Sequence, residues 1–300
     1  MKTRQVVLIV LAVLVAQGLA LAKHKNHYVF NSFDPPGSVF TVPVGINNNG
    51  LIGIQYVDAE GVWHSVLLQN GRYKVIDLPG ATNTLDSAPN DQGQDALGYF
   101  NPPDNYMHPA LYWKGHYKFL PDAPGELNTA GSAINARGHI SGVAWSDNFT
   151  IVHGYLWDGR TYHIYDHPDS DVHYTIAIAI NNRDQIAGWY NTSDGVIHGY
   201  LKDRDRYTDI TVPGAPNTDA CGINNWGAIV GSYGEAVPGP VGLMGSHAFM
   251  LWKGIYSTLD YPGAEATFPM GINDRNQIVG VYQDTAGTFH GYFATPRYGK

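Results

Sequence analysis

The chain has 300 residues, and 44% of them are hydrophobic, enough at this length to bury a sizeable core. Its formal charge is −8, and 18 Lys and Arg without a basic stripe argue against a nucleic-acid partner. One cysteine, Cys221, excludes an intramolecular disulfide framework, so stability must come from packing.

The chain opens with Lys2 and Arg4, an apolar run from Val6 to Val15, and Ala20-Leu21-Ala22. Positive start, apolar middle and small-x-small end are the pattern of a secretion leader. The run is short for a bilayer span and is interrupted by Gln17 and Gly18. Cleavage after Ala22 is expected, leaving one exported domain over 23–300 with no membrane span. Losing Lys2 and Arg4 takes the formal charge to roughly −10.

From Gly45 onward a block of about 45 residues repeats six times. Each opens on an Asn turn, as in Ile46-Asn47, Ile134-Asn135, Ile180-Asn181, Ile223-Asn224 and Ile272-Asn273, with Pro89-Asn90 as the weak copy. A short apolar strand with a central glycine follows: Gly53, Gly98, Gly142, Gly188, Gly231 and Gly280. A histidine then heads the next strand: His64, His108, His153, His198, His247 and His290. A Gly-x-Tyr turn, a last strand and usually Pro-Gly close the block. In block four the strands are expected near Ile176–Ile180, Gln185–Tyr190, His198–Lys202 and Tyr207–Val212. Four strands per block predict an all-β, six-bladed β-propeller. Block six lacks its last strand and Pro-Gly, and both reappear at the other end as Tyr28 to Gly37. The N-terminal strand is therefore expected to complete the last blade and close the ring. Cys221, on an expected innermost strand, reads as a small buried side chain and not as a nucleophile.

Gly-Ile-Asn, Ile-Val-Gly-x-Tyr, His247-Ala248-Phe249, Gly-x-Tyr and Asp-x-Pro-Gly together resemble the extracellular HAF repeat proteins. The resemblance covers essentially all of 23–300. Pro89, glycine after several of the histidines and the missing Pro-Gly of block three depart from it. It implies secretion and a repeated β fold, and it brings no catalytic residues with it.

If the first strand of each block is innermost, the Pro-Gly segments and the segments before each histidine share one face. These vary most, which makes that face the expected binding face. Four stretches there depart from symmetry: Asn101 to Met107, Ser146 to Val152, Asn191 to Ile197 and Glu235 to Gly245. Block three adds His163, Asp166, His167, Asp169, Asp171 and His173, a set able to hold calcium or zinc, weighed against a solvated polar loop. The repeated histidines read as structural, and Asp34, Asp77, Asp122, Asp166 and Asp260 as turn caps. An aromatic follows each central glycine, namely Tyr56, Phe100, Trp145, Tyr190, Tyr233 and Tyr282, either packed between blades or exposed for ligands. Tyr106, Trp145 and Trp189, beside Asn105, Asp147 and Asp194, are the ligand-binding candidates. Asn148 and Asn191 fit the glycosylation sequon. No nucleophile elbow, phosphate loop or dinucleotide fingerprint occurs. The expectation is a non-catalytic binder of an extracellular glycan or cell-surface polymer. The rivals are a polysaccharide lyase or glycoside hydrolase, with acidic or histidine side chains converging at the central mouth, and a scaffold for a surface protein.

Overall fold

The computed structural model describes residues 28–85, 87–101, 104–146, 149–235 and 245–297. Outside that set lie the leader-like segment, Asp147, Asn148 and residues 236–244 of the block-five insertion. No helix among the described residues is long and apolar enough to cross a membrane.

Six four-stranded antiparallel sheets form the blades of a propeller. In blade 4 the strands are Thr175–Ile180, Ile186–Asn191, Ile197–Asp203 and Arg206–Ile210, paired in that order from axis to rim. The first strand of every block is innermost, as the repeat pattern predicts. The ring closes through the N-terminus: Tyr28–Phe33 pairs antiparallel with Phe289–Pro296, from Tyr28 opposite Pro296 to Phe33 opposite Gly291. This pairing leaves the last blade without a missing strand.

Each repeated residue type has a distinct mechanical task. The turn asparagines form a closed circle at the axis. Asn47 Nδ2 donates to the Asn90 carbonyl, Asn90 to Asn135, Asn135 to Asn181, Asn181 to Asn224, Asn224 to Asn273, and Asn273 back to Asn47, all at 2.8–3.2 Å. Each Oδ1 also accepts amides of its own turn, as Asn181 does from Arg183 and Gln185. Asparagine is needed because one side chain must donate outward and accept inward simultaneously. At the rim a tyrosine of the last strand, in a Gly-x-Tyr segment in blades 1 and 2, reaches back to the preceding blade: Tyr73 hydroxyl to the Asp34 carbonyl, Tyr117 to Asp77, Tyr162 to Pro121 and Tyr207 to Asp166. The blades are thus tied at both radii.

The central glycine follows from a β-bulge in the innermost strand, at 131/133 in blade 3 and 177/179 in blade 4. A Cβ on Gly142 would overlap the Ala130 carbonyl oxygen, and one on Gly188 that of Ile176. Only glycine admits so close a backbone approach.

Blades 2 and 5 have the shortest innermost strands, Asn83–Leu85 and Gly222–Ile223. In blade 2 Pro89 lacks the amide a ladder requires. Buried Asp–Ser pairs join the two inner strands in both blades: Asp95 accepts from the Ser87 amide and hydroxyl, and Asp219 from those of Ser232, while in blade 5 the Asp219 and Cys221 amides also bond the Ser232 and Val230 carbonyls. Cys221 is buried beside Asp219, where burial pushes its thiol well above the usual range.

Candidate functional site

The repeated histidines and aspartates hold each other. His64 Nδ1 lies 2.6 Å from Asp77 and its Nε2 3.0 Å from Asp58. Blades 2 and 6 repeat this double contact, with His108 between Asp122 and Asp104 and His290 between Asp34 and Asp284. His153 pairs with Asp166 and His247 with Asp260. The same carboxylates accept a strand amide, that of Ser65 at Asp77 and of Ala248 at Asp260. These aspartates therefore fasten the third strand of the blade to its exit segment instead of only capping turns. Burial pulls the imidazoles of His64, His108 and His290 down, but their flanking carboxylates outweigh it and hold all three above the ordinary histidine range.

Most of the aromatic ring is committed to the same clusters. Tyr56 stacks on His64 at 4.9 Å and Tyr190 on His198 at 5.1 Å, while Tyr233 and Tyr282 lean on His247 and His290. In blade 2 the residue opposite the histidine is Tyr99, with Phe100 opposite Met107; in blade 3 it is Ala144, with Trp145 opposite Val152. Phe100 and Trp145 therefore point to the other side of their blades, because adjacent strand residues alternate faces.

That alternation produces an aromatic run at the junction of blades 3 and 4. Trp145 packs edge-on to Phe149 at 4.9 Å, Phe149 edge-on to Tyr174 at 5.9 Å, and Tyr174 stacks on Trp189 at 5.7 Å. Trp145 is buried, Tyr174 and Trp189 are half-buried, and Phe149 is 45% exposed. Phe149 is held at φ 55°, a left-handed backbone that costs a bulky residue about 1–2 kcal/mol. Of the sequence candidates, Trp145 and Trp189 join this run. Tyr106 and Asn105 sit in the blade 2 loop, and Asp194 closes a turn by accepting from the Thr192 hydroxyl and Val196 amide. Asn191 ends the second strand of blade 4, half-buried with its Oδ1 enclosed. Phe149 and Tyr174 were not foreseen as anchors, because neither occupies a repeat position.

The polar segment of block three is dispersed. His163 turns back to Asp158 at 2.9 Å, and His153 and His173 share Asp166. Asp171 accepts from the Ser193 amide and hydroxyl. His167 and Asp169 remain together and meet Asp209 of the next blade, with one ligand-type atom from each within 4.8 Å of the others. His167 is 2% exposed and lies flat on Tyr190 at 3.8 Å.

On the variable face the axial channel opens into a cavity of about 240 Å³ lined by Val42, Leu85, Ala130, Ile178 and Met270, with Gln55 and Ser132 as its polar groups. No carboxylate or imidazole lines it among the described residues. The catalytic pair that the hydrolase or lyase reading requires is not assembled there by those residues.

No protein-family profile matches the chain, and no curated protein matches its sequence. Solved structures match its shape. The propeller domain of the Trilobed protease from Pyrococcus furiosus, described as having an open velcro topology, superposes with a TM-score of 0.51 at 10% identity, over 87% of this chain and 97% of that one. A gluconolactonase from Xanthomonas campestris gives 0.49 at 12% identity, over 86% and 87%. A lectin from Aleuria aurantia, solved with Fucα1-6GlcNAc, gives 0.49 at 10% identity, over 90% and 99%. At these identities the likeness is one of fold.

Proposed function

We propose that this chain is a non-catalytic propeller that binds an extracellular glycan or cell-surface polymer at the junction of blades 3 and 4. The observation that carries this reading is the Trp145–Phe149–Tyr174–Trp189 run, with Phe149 exposed in a strained backbone on the variable face. Flat aromatic faces take the apolar side of a sugar ring, and bordering polar groups take its hydroxyls. Here the polar border is His173, whose side chain is 62% exposed, with Asp171 and Ser193 beyond it. The leader-like residues 1–22 and the resemblance to HAF repeat proteins support export, so the ligand is sought outside the cell.

A glycan array with the chain from residue 23 onward tests the reading. The expected result is a carbohydrate hit that weakens at least about tenfold in Phe149→Ala and Trp189→Ala, the loss of an aromatic anchor. A blank array from folded protein, or a hit indifferent to both substitutions, overturns it.

A further inference from the structure

Three departures from the repeat meet at one point. In the exit segment, Asp-x-Pro-Gly or Thr-x-Pro-Gly, x is Pro35, Leu78, Ala123, Val212 or Tyr261 in other blades, but His167 in blade 3. The glycine after the proline, Gly37, Gly80, Gly125, Gly214 and Gly263 elsewhere, is Asp169. Blade 4 has Thr211 in place of the exit aspartate, and the residue two before that position, Ser32, Val75, Leu120, Ile164 and Thr258 elsewhere, is Asp209 there. Each departure introduces an ionisable group at a position the fold fills without one. Although 42 residues separate His167 from Asp209 in sequence, the two are neighbours in space.

His167 carries a penalty in this place. Its Nε2 is buried and has no hydrogen-bond partner. A buried polar atom left unsatisfied costs about 1–3 kcal/mol. Leu78 and Val212 show that the position accepts an apolar side chain, so packing alone does not require an imidazole.

We infer that His167, Asp169 and Asp209 form a binding site for a divalent transition ion of the zinc class. His167 Nε2 lies 3.7 Å from Asp209 Oδ1, and the Tyr190 hydroxyl bonds that same oxygen at 3.4 Å. The 3.7 Å gap is too long for a hydrogen bond and too short for a water bridging two hydrogen bonds. An ion about 2.1 Å from both atoms would subtend roughly 125° between them, within reach of a tetrahedral or trigonal site. Asp169 supplies a third ligand from the exposed side, and a fourth position opens to solvent. One imidazole with two carboxylates suits zinc, whereas calcium prefers six or more oxygens. The Asp169 amide contacts Nδ1 at 3.3 Å, so the metal-free ring carries its proton on Nε2. Coordination through Nε2 moves that proton to Nδ1 and gives up this long contact.

Titration calorimetry of the chain from residue 23 with Zn²⁺ alone, and separately with Ca²⁺ alone, provides the test. One Zn²⁺ per chain is expected, weakened at least about tenfold in both Asp169→Asn and Asp209→Asn, which alter exposed side chains. His167→Leu, the residue blade 1 uses, should fold at least as stably without metal and lose the binding. His163→Ala with His173→Ala should leave it intact. Absence of Zn²⁺ binding, binding only by Ca²⁺, or Zn²⁺ binding lost with His163 and His173 but not with Asp209 each overturns the assignment.

Discussion

The asparagine circle makes a quantitative demand on stability. Asn181 is 3% exposed. Its Nδ2 donates to the Asn224 carbonyl at 3.2 Å and to Gln185 Oε1 at 2.9 Å; its Oδ1 accepts from the Arg183 and Gln185 amides at 2.9 and 3.1 Å. Asn181→Ala removes all four bonds. Each is worth about 1 kcal/mol net, and the buried Asn224 carbonyl is left with only the Gly227 amide, so a loss of about 3–4 kcal/mol is expected after Gln185 turns to water. Asn181→Asp has nearly the same shape but sets a carboxylate oxygen against the Asn224 carbonyl, and should cost at least as much. Because a circle has no end, Asn47→Ala and Asn273→Ala should cost about the same, although their bond joins blades 226 positions apart in sequence. Urea unfolding followed by tryptophan fluorescence reads these differences as shifts in midpoint. A loss under about 1 kcal/mol for Asn181→Ala, or full stability in Asn181→Asp, would refute the reasoning.

Two further outcomes follow from the blade interior. Gly188→Ala should cost about 3 kcal/mol or more or prevent folding, since its Cβ would overlap the Ile176 carbonyl; an unchanged melting temperature contradicts the bulge argument. Asp219 is pushed up to about 6 by burial, against the pull of the Ser232 amide and hydroxyl. A carboxyl with a raised pKa is held protonated more tightly by the folded chain than by the unfolded one, where the ordinary value is 3.8. The associated stability is full below about pH 4 and is lost as pH rises through 6, by about 3 kcal/mol. Asp219→Asn should flatten that slope between pH 4 and 7 in parallel denaturation series. The histidines with raised pKa values also lose stability as pH rises, but they are common to both proteins, so the difference isolates Asp219. An identical slope in both would contradict the assignment.

Repetition made the architecture legible. A side chain with the same task in every blade recurs at the same offset, so the Asn, Gly, His and Tyr positions could be read before their partners were known. The weak copy Pro89 was visible too, and it coincides with one of the two shortest innermost strands. The aromatic ring was legible only in part. Phe100 and Trp145 stand one residue beyond Tyr99 and Ala144, and a one-residue offset in a strand moves a side chain to the opposite face. Spacing after a glycine does not distinguish the two when both positions are large or apolar.

The candidate sites were less legible for a related reason. Block three's histidines and carboxylates crowd one segment, yet in the folded chain His163, His173 and Asp171 bond to Asp158, Asp166 and Ser193. Asp209, which meets His167, belongs to another block. Phe149 and Tyr174 became neighbours of Trp145 and Trp189 only once blades 3 and 4 were set side by side.

By itself the sequence determined the all-β class, six blades, the innermost strand and closure through the N-terminal strand, because these follow from periodic patterning and a missing strand at one end. Only the tertiary structure decided which aspartate faces which histidine and which aromatics share a surface. Those contacts depend on how one blade's rim packs against the next, and that packing is set by the twist and radius of the closed ring rather than by spacing along the chain.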